Sequence, residues 1–454
     1  MTMVIQGCAV ATVDDAGTEY ADGHVVIEGS RITAVGPGPA DPSVADSADT
    51  VLDAPGCLAT PGLVNTHHHL YQWATRGLAQ EDDLFGWLTT LYPVWQGLDE
   101  DVVGAAAAAG LGWLARTGCT STADHHYVFP RDGGDVLGST IAAAREVGLR
   151  FHPTRGSMDL GQSQGGLPPD SVVETTEGAL AGTLRALDEH HDPSPGSMLR
   201  MGVAPCSPFS VTEDLMREAA ELARGRGVRL HTHLAETLDE DAFCRSRFGC
   251  SPTVYADSLG WLGDDVWLAH CVHVEEKGVE RIADSGTAVA HCPTSNARLG
   301  SGLAAVTAMH EAGVVVGLGV DGSASNEESS LVTELHAAMM VARLRGGPAA
   351  MTARDALRLG TIGGARVLRR EDEIGSLEPG KLADLALWRV DGIAHAGCED
   401  PVAALVLGSR PPLARLLVGG ATVVEDDVLL TTDEHALARR AATATRTLLA
   451  RSGR

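Results

Sequence analysis

The stretch TPGLVNTHHHL, residues 60–70, ends a short apolar run with three consecutive histidines, His67, His68 and His69. Side chains alternate between the two faces of an extended strand, so His67 and His69 point one way and His68 points the other. A pair with this spacing at the end of a strand can present two ring nitrogens to one metal ion. An accidental polar loop is the alternative, and the rest of the chain has to distinguish the two.

Short apolar runs that end in polar or metal-binding residues recur through the middle of the chain. Eight are found: CLATPGLVNTHHH, GCTSTADHH, GLRFHPTRG, LRMGVAPCSP, VRLHTHLAE, VWLAHCVHV, AVAHCPTSN and VVVGLGVDGSAS. Helical patterns separate most of them, at residues 101–117, 139–147, 212–225, 274–285 and 304–312. Eight strands that alternate with helices predict an α/β fold, a TIM-like (β/α)8 barrel. The His, Asp, Glu and Asn residues collect at the C-terminal ends of the runs, where such barrels carry their chemistry.

Both ends of the chain differ from this pattern. Apolar and polar residues alternate between Gly and Asp punctuation near the N-terminus, and similar material returns at 375–390 and 411–430. This alternation is typical of antiparallel strands. We therefore predict a small β-sandwich domain built from residues 1–58 and 369–454, with a terminal helix after 433. These two segments flank, along the chain, a metal-dependent barrel at 59–368. The Gly-, Ser- and Pro-rich stretch 155–170 is expected to be a loop over the barrel mouth or a disordered surface insertion.

Composition excludes several classes of function. The net charge of −26 argues against nucleic acid and anionic membranes as partners, because binding phosphates requires clustered basic residues. No apolar stretch is long enough to span a bilayer, and the N-terminal residues lack the pattern of a signal peptide. The nine cysteines are odd in number and form no CxxC pair, which is typical of free thiols in a reducing compartment. We expect a soluble cytoplasmic protein.

Further candidate metal ligands follow the later runs. HTHLAE carries His233 and Glu236, WLAHCVH carries His270 and His273, and GLGVDGSASN carries Asp321. Neutral imidazoles with a carboxylate are the ligands of catalytic Zn²⁺ or Fe²⁺ sites that leave one position open for water. Taken singly, His270 could be a hydrogen-bonded core residue and Asp321 a helix cap. Their common position at strand ends of one barrel favours a mononuclear metal site.

The motifs TPGLVNTHHHL, HTHLAE, LAHCVH and GLGVDGSASN, in this order, closely resemble the amidohydrolase superfamily, in particular its cyclic-amidine deaminases and triazine hydrolases. The resemblance covers nearly the whole chain, including the GSLEPGKLADLALW return. It implies one divalent metal per chain, zinc first and Fe²⁺ as the alternative, bound by four residues: His67, His69, His233 and Asp321. His68 and His231 are not expected to be ligands. The motifs show no bridging lysine, and the chain has only Lys277 and Lys381, which disfavours a binuclear centre.

The same resemblance implies catalytic roles for three residues. Asp321 would accept a proton from the metal-activated water, and Glu236 would protonate a ring nitrogen of the substrate. His270 would hydrogen-bond the developing tetrahedral centre. A complete set of this kind is typical of a deaminase that acts on an N=C–NH2 unit inside a ring. A non-enzymatic scaffold is the competing class, and such relatives typically lose metal ligands.

The substrate is predicted from the loops. HLYQWATRGLAQ, DLFGWLTTLYPVWQGL and RGSMDLGQSQGGLPPD resemble the corresponding segments of bacterial 8-oxoguanine deaminases in this family. Gln72 could bind a purine edge, or be an ordinary polar residue at a helix start. Trp95 replaces a carboxylate and Cys206 a histidine that nucleoside-specific relatives use, so both could contact a free base, although Trp95 could equally pack under the loop.

We therefore expect deamination of a free oxidised purine, 8-oxoguanine to urate and ammonia. Glu236 is expected to contact this base as well as to protonate it. Hydroxyatrazine-type triazines, guanine and isoxanthopterin are the alternatives. Relatives are commonly homo-oligomers, so a homo-oligomer is expected by analogy.

Overall fold

The computed structural model describes residues 1–454, and its strands fall into three sheets. Five strands lie at the N-terminal end: β1 Thr2–Ala11, β2 Glu19–Glu28, β3 Arg31–Pro37, β4 Thr50–Asp53 and β5 Cys57–Pro61. Ten follow in the middle: β6 Leu63–Asn65, β7 His68–His69, β8 Cys119–His126, β9 Arg150–Ser157, β10 Gly202–Pro205, β11 Leu230–Leu234, β12 Val266–His270, β13 Ala288–His291, β14 Val316–Leu318 and β15 Asp321–Gly322. Four lie near the C-terminus: β16 Leu385–Arg389, β17 Leu413–Val418, β18 Ala421–Glu425 and β19 Val428–Leu429.

Eight parallel strands close into a barrel in the order β10-β11-β12-β13-β14-β6-β8-β9. Each of the eight apolar runs found in the sequence supplies one of these strands, so the predicted fold class is confirmed. The barrel closes where β14 pairs with β6, through Leu318 and Asn65. Just beyond this seam β15 pairs in parallel with β7, aligning Asp321 with His68 and Gly322 with His69. The first and last strands thereby bring the triple histidine beside Asp321.

The second β unit is built from both ends of the chain, as predicted. Its nine strands form one hydrogen-bonded sheet in the order β19-β18-β17-β16-β5-β1-β2-β3, with β4 on β1. The antiparallel pairing of β5 with β16 joins the N-terminal and C-terminal parts. A separate apolar core fills this unit, with Ile5, Ile27, Leu385 and Leu417 among its buried residues. Because β5 runs across residue 58, the domain boundaries given above stay predictions.

Helices surround the barrel and complete the chain. They are α1 Pro42–Ser47, α2 Leu84–Trp95, α3 Glu100–Arg116, α4 Val136–Val147, α5 Thr176–His190, α6 Glu213–Arg226, α7 Leu238–Phe248, α8 Pro252–Ser258, α9 Glu276–Ser285, α10 Pro293–Arg298, α11 Val306–Glu311, α12 Leu331–Gly346, α13 Ala353–Arg358, α14 Gly364–Val367, α15 Pro401–Leu407 and α16 Glu434–Arg451. Short 3₁₀ turns cover Leu70–Thr75 and Gln162–Gln164, and a π-helical turn covers Leu359–Gly363. Every helix predicted from the sequence is present. None of the helices is both long and apolar enough to cross a bilayer.

The stretch at 155–170 is only partly a loop. Its first residues, up to Ser157, complete β9. The remainder is irregular apart from the 3₁₀ turn at Gln162–Gln164. It is fixed to the segment after β10, because the Asp159 carboxylate accepts a hydrogen bond from the Thr212 amide at 2.7 Å and the Leu160 amide donates to the Ser210 carbonyl. The expected loop therefore begins three residues later than predicted, and it is anchored at its base.

Candidate metal centre and active site

His69, which follows β6, and His233, on β11, come from opposite sides of the barrel, and each has one ring nitrogen held by a backbone carbonyl. His69 Nδ1 is 2.6 Å from the His125 carbonyl oxygen, and His233 Nδ1 is 2.7 Å from the Cys206 carbonyl oxygen. A carbonyl only accepts hydrogen bonds, so both Nδ1 atoms carry the proton. The two Nε2 atoms are therefore bare, and they face each other at 3.0 Å.

His67 is oriented in the same way through a second imidazole. His231 Nδ1 is 2.8 Å from the Trp267 carbonyl oxygen and must donate to it, which makes His231 Nε2 an acceptor. His67 Nδ1, 2.8 Å from that Nε2, is consequently the donor. The His67 Nε2 lone pair thus points at the Nε2 atoms of His69 and His233. His67 Nε2 is buried without a hydrogen-bond partner, and burial above all holds the pKa of His67 well below its usual value, so the ring is neutral.

Asp321 completes the group from just beyond β14, the last barrel strand in chain order. Its Oδ1 atom lies 3.2 Å from His67 Nε2 and 3.3 Å from His69 Nε2. In the neutral tautomers that carry the proton on Nδ1, the Nε2 lone pairs and the Asp321 carboxylate converge on one point. Asp321 also has a left-handed backbone, with φ of 61°, a conformation that costs free energy and concentrates at functional sites. This donor set fits a divalent cation with nitrogen and oxygen ligands.

Glu236 and His270 lie together beside this group. His270 Nε2 is 3.6 Å from Glu236 Oε2 and 3.9 Å from Asp321 Oδ2, while its Nδ1 contacts Asn296 Oδ1 at 2.9 Å. Burial raises the pKa of Glu236, whose Oε1 has no partner. Burial opposes a charge on His270, but the neighbouring carboxylates outweigh it and raise the pKa of His270. The pair can therefore hold and move a proton next to the candidate metal position.

A narrow cavity opens onto these side chains. Apolar residues form most of its other walls, among them Leu84, Trp87, Leu88, Tyr92, Phe209 and Leu299. Gln72 and Cys206 also line it. Gln72 is buried with its Oε1 unpartnered, and a Cβ on Gly322 would lie 1.7 Å from that oxygen, so glycine at 322 makes room for the amide. The cavity volume is about 30 Å³, room for roughly two water molecules.

Trp95 lies outside the cavity, which corrects the expectation that its indole stacks on a base. It is fully buried behind the wall, with edge contacts to Trp87, Tyr92 and Tyr71, and its Nε1 donates to Thr75 Oγ1 at 3.1 Å. The indole therefore packs beneath the cavity and supports its wall. His273 is likewise outside the metal group, since its Nε2 bonds the Ser301 carbonyl.

With this geometry described, the chain can be compared with known proteins. The model of the amidohydrolase family matches residues 58–420. The chain is 43% identical over 438 residues to an 8-oxoguanine deaminase of Pseudomonas aeruginosa, covering 96% of both sequences. It is 37% identical to an isoxanthopterin deaminase of an unknown prokaryotic organism, covering 88% of both. The chain belongs to the amidohydrolase family. It is accordingly a hydrolase that acts on carbon–nitrogen bonds, as predicted.

A solved structure supports the metal-dependent character of this amidohydrolase. Atrazine chlorohydrolase from Arthrobacter aurescens TC1, complexed with zinc, superimposes with a TM-score of 0.91 at 34% identity over 98% of this chain and 100% of that one. In the present structure, possible ligand atoms of His67, His233, His270 and Asp321 lie within 4.8 Å of one another, and so do those of His67, His69, His125 and His233. The family's dependence on metal and the donor set found here agree.

Several side chains that organise the amidohydrolase site were missed from the sequence. Ser295 Oγ donates to Asp321 Oδ2 at 2.6 Å, and Ser325 Oγ approaches the same oxygen at 3.2 Å. Asn296 fixes His270, and His231 fixes His67. Ser295 and Asn296 belong to the HCPTSN segment, and Ser325 to GLGVDGSASN; both segments stood out in the sequence, but hydroxyl and amide contacts carry no spacing pattern that would reveal them.

Proposed function

We propose that this amidohydrolase deaminates a free oxidised purine base, converting 8-oxoguanine and water to urate and ammonia. The observation that carries the proposal is the similarity to the 8-oxoguanine deaminase of P. aeruginosa at 43% identity over nearly the full length, together with the complete set of acid and base residues around one donor group. The Gln72 amide and the apolar side chains that line the cavity support a flat base as the substrate.

In this proposal His67, His69, His233 and Asp321 hold one divalent metal, zinc by analogy with the zinc-containing relative. The cation would lower the pKa of a water ligand towards neutrality. The test compares two neighbouring histidines. His69→Asn should abolish stoichiometric metal, measured by elemental analysis, whereas His68→Asn should retain it, because His68 Nδ1 only accepts the His69 amide. Metal loss in the His68 variant alone would show that the strand register is wrong.

The side chains divide the proton chemistry among themselves. Asp321 Oδ2, fixed by Ser295, accepts a proton from the water that attacks the ring carbon bearing the amine. The Glu236 carboxyl donates its proton to the adjacent ring nitrogen, and His270 hydrogen-bonds the oxygen that develops charge. The carbon–nitrogen bond then breaks, and the proton held by Asp321 passes to the departing amine, which leaves as ammonia. The remaining proton of the attacking water passes to Glu236, so that the ring carbon keeps a carbonyl oxygen and the acid is restored.

Substrate entry requires movement of the wall. A cavity of about 30 Å³ is smaller than a bicyclic base, so α2, which supplies Leu84, Trp87, Leu88 and Tyr92, has to shift outward to admit one. A lid of this kind also excludes water once it closes over the substrate.

A triazine hydrolase activity is the second candidate. The observation in its favour is 37% identity over 404 residues, 86% of this chain and 83% of the relative, to a hydroxydechloroatrazine ethylaminohydrolase of Pseudomonas sp. strain ADP. The deciding experiment measures substrate loss and released amine for 8-oxoguanine, guanine, isoxanthopterin, adenosine and hydroxyatrazine, with metal-loaded protein. The highest kcat/KM is expected for 8-oxoguanine, and Glu236→Gln serves as the background control. A highest value for hydroxyatrazine or adenosine would refute the purine-base proposal while leaving the metal site intact.

A further inference from the structure

A second cavity, of about 520 Å³, lies at the opposite end of the barrel from the metal group. It is lined at the N-terminal ends of the strands, since Arg200 precedes β10, Arg229 precedes β11, and Asp264 and Asp265 precede β12. Four arginines but only two aspartates line it, namely Arg200, Arg224, Arg229 and Arg369 against Asp264 and Asp265. Its walls therefore carry excess positive charge in a protein whose net charge is −26.

Arg229 is the arginine of this group that has no carboxylate partner. Arg200 pairs with Glu373, Arg224 with Asp265 and Arg369 with Asp264. Arg229 is only 8% exposed, and its Nη1 donates to the Asp264 carbonyl oxygen at 3.1 Å, while its Nε is buried without an acceptor. Besides carbonyl oxygens the guanidinium meets only the Trp267 ring, 5.5 Å from its centre, and burying a cation without a paired anion is costly.

His152 lies in the same cavity beneath these cations. It is only 3% exposed, and its Nδ1 has no hydrogen-bond partner. Burial first, and then the positive charges of Arg370, Arg229 and Arg200, hold the pKa of His152 well below its usual value. Arg200 Nε and Arg370 Nη1 are also buried without acceptors. Glu373 pairs with both Arg200 and Arg370, yet one N–H group on each of them and one on Arg229 still lack an acceptor.

We propose that this cavity binds a small oxyanion, a phosphate that is either free or the end of a phosphomonoester, against Arg229, Arg200 and His152. Guanidinium groups match phosphate oxygens in geometry and form charge-assisted hydrogen bonds with them. The site is separate from the proposed deamination, because it lies at the face of the barrel that contributes to stability instead of to chemistry. Its ligand should therefore stabilise the fold without changing the reaction.

The test titrates metal-loaded protein with inorganic phosphate by calorimetry, at constant ionic strength and with chloride as the reference anion. Wild type should bind one phosphate per chain saturably, and Arg229→Met should weaken it by about tenfold or more, since a hydrogen bond to a charged group is lost. Arg226→Met is the matched control, because Arg226 pairs with Asp188 on the surface and does not line the cavity. Phosphate bound at the metal would be insensitive to Arg229, so equal affinity in wild type and Arg229→Met overturns the proposal.

Two further measurements keep the test decisive. If Arg229→Met does not fold, Arg229→Lys replaces it, because lysine keeps the charge but lacks the planar guanidinium. Independently, anomalous scattering from crystals soaked in tungstate locates the anion directly. Tungstate at the metal group alone refutes the site. Titration with AMP and with adenosine then distinguishes a phosphomonoester from free phosphate as the ligand. AMP binding that is tighter than that of inorganic phosphate indicates a phosphomonoester, and equal or weaker AMP binding indicates free phosphate. Adenosine binding that depends on Arg229 contradicts both.

Discussion

Replacing Glu236 with glutamine is the substitution that tests the proposed chemistry most directly. Glu236 is 4% exposed, its Oε1 has no partner, and its Oε2 lies 3.6 Å from His270 Nε2. Glutamine has the same shape, so the packing around the site should survive. The change removes the proton that the carboxyl would donate, and it leaves no carboxylate to raise the pKa of His270 once that proton has been given up.

The expected loss follows from the role. General acid catalysis by a positioned side chain contributes about 10² to 10⁴ in rate, which corresponds to roughly 3 to 5 kcal/mol of activation free energy. We therefore expect kcat of Glu236→Gln to fall by about 10² or more. Metal content should remain at the wild-type level, because Glu236 is not one of the four proposed ligands.

The dependence on pH gives a second readout. Burial raises the pKa of Glu236, so the carboxyl keeps its proton to a higher pH than an exposed glutamate does. If the acid form is the active one, kcat/KM falls as pH rises through that pKa, and Glu236→Gln lacks this limb of the profile. The assay is steady-state deamination across about pH 6 to 10 with elemental analysis of the same preparations. Near-normal turnover with metal bound would remove Glu236 from the mechanism, and loss of metal would make it a ligand.

Three further outcomes are expected. His231→Phe keeps the stacking on the Trp267 indole but removes the acceptor for His67 Nδ1. Metal affinity, measured by competition with a chelator, should therefore fall by about 10- to 100-fold. Unchanged affinity would mean that His231 does not orient His67. Gly322→Ala should displace the Gln72 amide and raise KM for the purine by about three- to tenfold with little change in kcat, and an unaltered KM would exclude the amide from binding. Burial raises the pKa of Glu334 from 4.5 to about 8, so the protonated side chain stabilises the fold fully below pH 4.5 and this contribution is lost as pH rises to about 8. The unfolding free energy of wild type minus that of Glu334→Gln, measured in urea, should therefore fall by about 1.4 kcal/mol per pH unit in that window. A constant difference would show an ionised carboxylate throughout.

The barrel could be predicted because it depends on simple periodicities, whereas the complete ligand set was implied by the resemblance to the amidohydrolase superfamily. Alternation along a strand puts His67 and His69 on one face, and parallel strands of a closed barrel end at one rim. The strand pattern places His233 and Asp321 near this rim together with other polar residues, and only the resemblance selects them as ligands. In the structure Asp321 Oδ1 lies within 3.3 Å of both His67 Nε2 and His69 Nε2.

Contacts between side chains far apart in the chain could not be predicted in this way. Trp95 was assigned to the substrate from its place in a motif, but the direction of an indole depends on how α2 packs, and Trp87 and Tyr92 lie between it and the cavity. The same holds for Arg229 and His152. Their strands were recognised, but only the closed barrel brings the two residues into one cavity.

The proposed ligand geometry depends on closure of the barrel itself. The acceptors that fix the imidazole protons are backbone carbonyls of adjacent strand ends, His125 for His69 and Cys206 for His233, so each ring is oriented by a neighbouring strand and not by its own. Asp321 reaches the group only because β15 pairs with β7 across the seam that closes the barrel. A bound cation would therefore join the first and last strands of the barrel. Binding of metal and closure of the barrel should be coupled, because the donor set does not exist in the unfolded chain.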